Sequence, residues 1–148
     1  MHEEIRLSKP TVEPELEAFL NIQRTAELQL GQLTQLLRPF GLSPAQYNVL
    51  RILRGAGPQG LPCGEIANRM ISRDPDITRL IDRMEQRSWV ARTRSQQDRR
   101  VVTVAALPSA LEILSALDEQ VATLHRSQFS SFDSSRVVTL ITLLEELR

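Results

Sequence analysis

The sequence predicts a mainly α chain carrying one small β-hairpin. Three observations support this: apolar stripes of helical period near both ends, cap signals at Ser43, Asp74 and Asp133, and two β-branched runs, 89–93 and 101–104, divided by a charged polar turn. At 148 residues and 41% hydrophobic content, the chain can form one ordinary domain, or a subunit that completes its core against a copy of itself.

Residues 1–11 read as a frayed arm, because Pro10 and Pro14 interrupt any regular element. From Glu15 the pattern settles into a long helix ending before Pro39, with Leu16, Phe19, Leu20, Ala26, Leu30, Leu33 and Leu37 on one face. Ser43-Pro44-Ala45-Gln46 starts the next helix, with Ser as cap, Pro at the first position and Gln completing a capping box. Tyr47, Val49, Leu50, Ile52 and Leu53 are its buried candidates, and Gly55, Gly57, Pro58 and Gly60 then form a loop. A short helix over 64–70 follows, with Ile66, Ala67 and Met70 inward.

Asp74-Pro75 signals the start of a fourth helix, whose Ile77, Leu80, Ile81 and Met84 form one apolar stripe. It should end near Ser88, ahead of the hairpin. Two short helices joined by a turn and followed by a strand pair make a winged helix-turn-helix. Pro108 then opens another long helix, with Leu111, Leu114, Leu117, Val121 and Leu124 on one side. Phe132-Asp133 reads as staple and cap of the last helix, lined by Val138, Leu140, Ile141, Leu144 and Leu147. These terminal stripes exceed what a small winged unit can cover. The expected architecture is therefore a winged helix-turn-helix, 42–107, inserted between N- and C-terminal dimerisation helices, 12–38 and 108–148, in one chain spanning 1–148.

Charge sharpens the picture. The chain is neutral overall, with 18 basic and 18 acidic residues, yet Arg69 to Arg100 holds nine arginines against five acids. Such a local excess is the electrostatic footprint of a polyanion binder. Other classes lack support. No glycine-rich phosphate loop or nucleophile–base pair is present, so no catalytic residue is expected. One cysteine, Cys63, and two scattered histidines, His2 and His125, supply neither a disulfide framework nor a metal site, and no cofactor is implied. No apolar run nears the roughly 20 residues a bilayer span needs, and MHEEIRLSKP lacks a secretory core, so the expected location is cytoplasmic, away from membrane.

The order of parts resembles the MarR family, the multiple-antibiotic-resistance regulators of bacteria. The resemblance rests on LSPAQYNVLRIL (42–53), on ITRLIDRMEQRSWVAR (77–92), which matches a Val-Thr-Arg-Leu-Val-Asp-Arg-Leu-like recognition helix, and on Asp98-Arg99-Arg100, matching the wing motif D-x-R. It implies a homodimeric transcriptional regulator, a repressor by family frequency, bound to double-stranded DNA at a pseudo-palindromic operator. Each recognition helix would lie in a major groove and each wing over a minor groove.

By that resemblance Thr78 and Arg79 would reach base edges, while Arg73, Arg83 and Arg87 would meet phosphates. Arg100 would enter the minor groove with Asp98 holding its guanidinium, and Arg94 and Arg99 would flank the backbone. Asp74 and Asp76 repel phosphates but suit the helix dipole and could accept from cytosine N4. Asp82 and Glu85 read better as local ion-pair partners. Ser88 stands where many members have Gly, so a left-handed backbone is expected there.

Leu16, Phe19, Leu20, Leu124, Val138, Ile141 and Leu144 are the dimerisation candidates. Relatives often release DNA when a small aromatic or phenolic effector enters a cleft, for which Phe19, Tyr47 and Phe129 are the lining candidates. Cys63 precedes the third helix, whereas peroxide-sensing relatives carry theirs in the first, so no redox role is expected. The rival reading is a winged-helix protein-interaction module that does not bind DNA specifically, kept open by the carboxylates at Asp74 and Asp76.

Overall fold

The computed structural model describes residues 13–72, 76–94 and 101–148. Its elements run α1 (Pro14–Leu37), a 3-10 turn (Arg38–Phe40), α2 (Pro44–Ala56), β1 (Leu61–Pro62), α3 (Cys63–Arg69), α4 (Ile77–Gln86), β2 (Val90–Arg94), β3 (Val102–Ala106), α5 (Pro108–Gln128) and α6 (Ser134–Glu146). Pro14, expected to interrupt structure, instead occupies the first helical position of α1, where its missing N–H costs nothing.

Local chemistry sets the helix starts. At α2 the Ser43 side chain accepts from Gln46 N at 3.2 Å while Gln46 Oε1 accepts from Ser43 N at 2.9 Å, the expected capping box. At α6 Asp133 Oδ1 accepts from Arg136 N at 2.9 Å, and this bond and the Ser135 hydroxyl hold its carboxyl below the usual range. The cap of α4 is Asp76 rather than Asp74, and the helix begins at Ile77. Asp74 itself lies outside the described residues.

The expected hairpin is part of a three-stranded antiparallel sheet in the order β1-β3-β2, with Leu61 opposite Val104 and Val90 opposite Ala106. β1 is two residues long and escapes a periodicity reading because its partner lies some forty positions away. Gly60, at φ 65°, makes the junction: a Cβ there would come within 2.2 Å of the Val104 carbonyl oxygen.

One core joins every element except α6. Leu50 and Leu53 of α2, Ile66 of α3, Ile81 and Met84 of α4, Val90 and Val104 of the sheet, and Leu114 and Leu117 of α5 are fully or almost fully buried together. Cutting any of the large aliphatic members to Ala would cost about 2–5 kcal/mol. α6 buries no residue and α1 buries only Leu37, so both terminal helices leave apolar faces open.

Candidate nucleic-acid interface

The apolar stripe of α4 decides what the helix offers outward. Leu80, Ile81 and Met84 enter the core, leaving Thr78, Arg79, Arg83 and Gln86 exposed, with Asp76 and Asp82 half-buried beside them. Asp76, Arg79, Asp82, Arg83 and Gln86 line one shallow groove along that face. Asp76 works at two atoms: Oδ1 caps the helix by accepting from Arg79 N at 3.1 Å, and Oδ2 pairs with Arg79 Nε at 3.0 Å. Arg79, 82% exposed, thus carries its positive charge at the helix start beside a carboxylate already engaged with the backbone. Arg83 Nε donates to Arg79 O at 3.3 Å.

The other acids of α4 turn toward the sheet. Arg92 of β2 reaches Asp82 Oδ1 through Nη2 at 2.6 Å and Glu85 Oε2 through Nη1 at 2.5 Å, while Glu85 Oε1 accepts from Arg92 N at 3.1 Å. Partial burial works against the Arg92 charge, yet the hydrogen bonds to Asp82 and Glu85 outweigh it and raise the guanidinium pKa above its ordinary value. The clamp ties α4 to β2, and its single positive charge offsets one of the two negative charges carried there. This is the local pairing expected for Asp82 and Glu85.

Arg87 takes a different place from the one expected. Its Nη1 donates to Gly41 O at 2.8 Å and its guanidinium lies 4.9 Å above the Trp89 ring, so it braces the exit of α4 against the turn ahead of α2. Ser88 adopts φ 55°, the left-handed conformation expected, and its carbonyl accepts from Ser109 Oγ at 2.6 Å. Arg94 is exposed at the end of β2. Arg73, Asp98, Arg99 and Arg100 lie outside the described residues. Gln86 went unnoticed in the sequence, although its i+3 and i+7 spacing from Arg83 and Arg79 puts it on the same face.

A cleft of about 440 Å³ opens between the inner ends of α1 and α5, α2 and the turn after α3. Leu30, Leu33, Tyr47, Arg51, Met70 and His125 line it, and Asn48 on its wall accepts from Ile71 N at 3.0 Å. Tyr47 is the lining candidate found here; burial pushes its phenol pKa up, against the pull of Arg51. Phe129 lines shallower hollows between α1, α5 and α6, and Phe19 is 54% exposed on α1, outside all of these cavities. Of the dimerisation candidates, Leu16, Phe19, Val138 and Ile141 are exposed and Leu20, Leu124 and Leu144 half-buried.

A half-exposed helix bearing arginines, seated behind a shorter helix and clamped to an antiparallel wing, defines a winged helix-turn-helix, the architecture of many DNA-binding regulators. The family model that matches, that of the MarR family, covers residues 42–102. A crystal structure of a MarR transcription factor from Planctomyces limnophilus is 37% identical, covers 93% of this chain and 98% of its own, and superposes with a TM-score of 0.69. The transcriptional repressor MdtR of Bacillus subtilis is 33% identical over 86 residues, 58% of this chain and 54% of that protein. A mutant MarR from E. coli, solved with operator DNA, shares the fold with a TM-score of 0.82 at 23% identity, covering 93% of this chain and 99% of its own. The chain belongs to the MarR family, whose members are DNA-binding transcription regulators rather than enzymes.

Proposed function

We propose that the protein acts as a homodimer on a pseudo-palindromic operator, represses transcription there, and leaves the DNA when a small aromatic or phenolic ligand occupies the cleft beside Tyr47. The observation that carries DNA reading is the outer face of α4, where Thr78, Arg79, Arg83 and Gln86 stand exposed while Arg92 holds Asp82 and Glu85. The E. coli relative bound to operator DNA supports the same use of the fold. Dimerisation draws support from Leu16, Phe19, Ile22, Val138, Ile141 and Leu143, all at least 43% exposed on α1 and α6. We assign 42–107 to DNA binding and 12–38 with 108–148 to self-association. In the wing, Arg94, Asp98, Arg99 and Arg100 are assigned to the flanking minor groove and backbone, and Arg73 to a phosphate.

The test is selection of sites from random duplex DNA, followed by affinity across a salt series. A two-fold symmetric site with half-sites about one helical turn apart, bound with steep salt dependence, is the expected result. A folded protein that enriches no site and binds with a flat salt response would instead be an interaction module for a protein partner.

A further inference from the structure

Most ion pairs among the described residues stay within one helix or within the winged unit. Arg54 and Asp118 differ: they lie 64 positions apart and join the last turn of α2 to the middle of α5. The geometry is a planar fork, with Nη1 donating to Oδ2 and Nη2 to Oδ1, each at 2.9 Å. Arg54 holds the Asp118 carboxyl below the usual carboxylate range, so the fork is fully charged at neutral pH.

Around it the α2–α5 contact is apolar, built from core residues such as Leu50, Leu53, Leu114 and Leu117. Apolar burial is itself non-directional, and a close-packed contact still admits a small rotation or slide of α2 along α5 within the slack of its side chains. The two parallel hydrogen bonds of the fork, on side chains 36% and 51% exposed, add a directional preference that apolar burial lacks. We infer that the Arg54–Asp118 fork fixes the orientation of the winged unit on α5, and thereby the separation of the two recognition helices and the half-site spacing the protein accepts. The inference rests on the dimeric regulator proposed above. Neither residue touches DNA in this scheme; both are positioning residues.

The experiment selects sites from a library of one half-site sequence repeated two-fold with spacers of varied length. It uses the full chain as wild type, Arg54→Gln, Asp118→Asn, and the exchange variant Arg54→Asp with Asp118→Arg. The single variants should broaden the spacer distribution and weaken binding at the preferred spacing about three- to tenfold, with unchanged affinity for a duplex carrying one half-site. The exchange variant should narrow the distribution again.

Single variants that keep the wild-type spacer profile would overturn the inference, as would equal losses on half-site and full operator, which mark a purely structural pair. If the singles fail to fold, the exchange variant decides: wild-type spacing supports the fork, and a broad profile in a folded exchange variant refutes it. A wild type that selects no paired half-sites would overturn the dimeric reading itself, an outcome distinct from a lost spacing preference.

Discussion

Removing the Arg92 guanidinium while keeping its stem, as in Arg92→Met, should destabilise the chain by about 1–2 kcal/mol and separately weaken DNA binding. The first magnitude follows from exposure. An exposed ion pair contributes about 0.2–1 kcal/mol, whereas stripping one partner from a buried pair costs about 3–5. Arg92 is 25% exposed, but Asp82 is 49% and Glu85 41%, so water rehydrates both carboxylates once the cation leaves. The loss therefore sits near two surface pairs. In a chain of this length it lowers Tm by about 3–6 °C.

The second magnitude is Coulombic. Arg92→Met removes one unit of positive charge, and one unit charge about 10 Å from a phosphate is about 0.4 kcal/mol in water, so low-salt DNA binding weakens about twofold, less as salt rises. Thermal unfolding and DNA titration at two salt concentrations, on Arg92→Met with and without Asp82→Asn and Glu85→Gln, separate the two. Neutralising the acids should restore DNA affinity without restoring Tm. An Arg92→Met protein with unchanged Tm and unchanged DNA affinity would refute the clamp.

Arg79→Ala should relax sequence preference, costing about 1–3 kcal/mol at the contacted base pair, as read by competition with single-base operator variants. Asp76→Ala removes the cap of α4 and should cost about 1 kcal/mol in chemical denaturation, while Asp76→Asn keeps an accepting oxygen and should lose only a fraction of that. Ser88→Gly relieves a left-handed backbone whose cost is about 1–2 kcal/mol, offset by about 0.5–1 from the freer unfolded glycine, so Tm should rise slightly and Ser88→Val should fall well below both. Asp118 has a depressed folded pKa, so its pair stabilises the chain above the unfolded value of about 3.9 and is lost as pH falls from there through the folded value. The stability gap between wild type and Asp118→Asn should hold from pH 8 to about pH 5 and close below about pH 4, measured by denaturation at each pH.

Features set by neighbours in sequence could be read from the sequence. The Ser43–Gln46 capping box and the Asp133 cap are decided within four or five residues, and the buried stripe of α4 by simple periodicity, whereas the left-handed Ser88 was legible only through the family resemblance. Features set by distant partners could not. Asp74 and Asp76 are equivalent as letters, and only the path of the chain into α4 makes Asp76 the cap. Nine arginines between Arg69 and Arg100 look alike in a charge count; folding sends Arg92 to two acids and Arg87 to a carbonyl and a Trp face, and leaves Arg83 and Arg94 outward. β1 and the Arg54–Asp118 fork depend on pairings across much of the chain, for which no local pattern exists.

The approach of Gly60 to the Val104 carbonyl bears on how variation can be distributed over this chain. A side chain at Gly55 or Gly64 would meet nothing within 4 Å, so within the chain those positions are constrained chiefly by helix propensity. At Gly60 any Cβ would strike backbone at 2.2 Å, where nothing flexible can yield, and the third strand would lose its seat against β3. Substitutions there would surface as loss-of-function alleles while the recognition face of α4 stayed intact. On the DNA-reading role proposed for α4, diversification toward new operators would run along Thr78, Arg79, Arg83 and Gln86, with the root of the wing inherited unchanged.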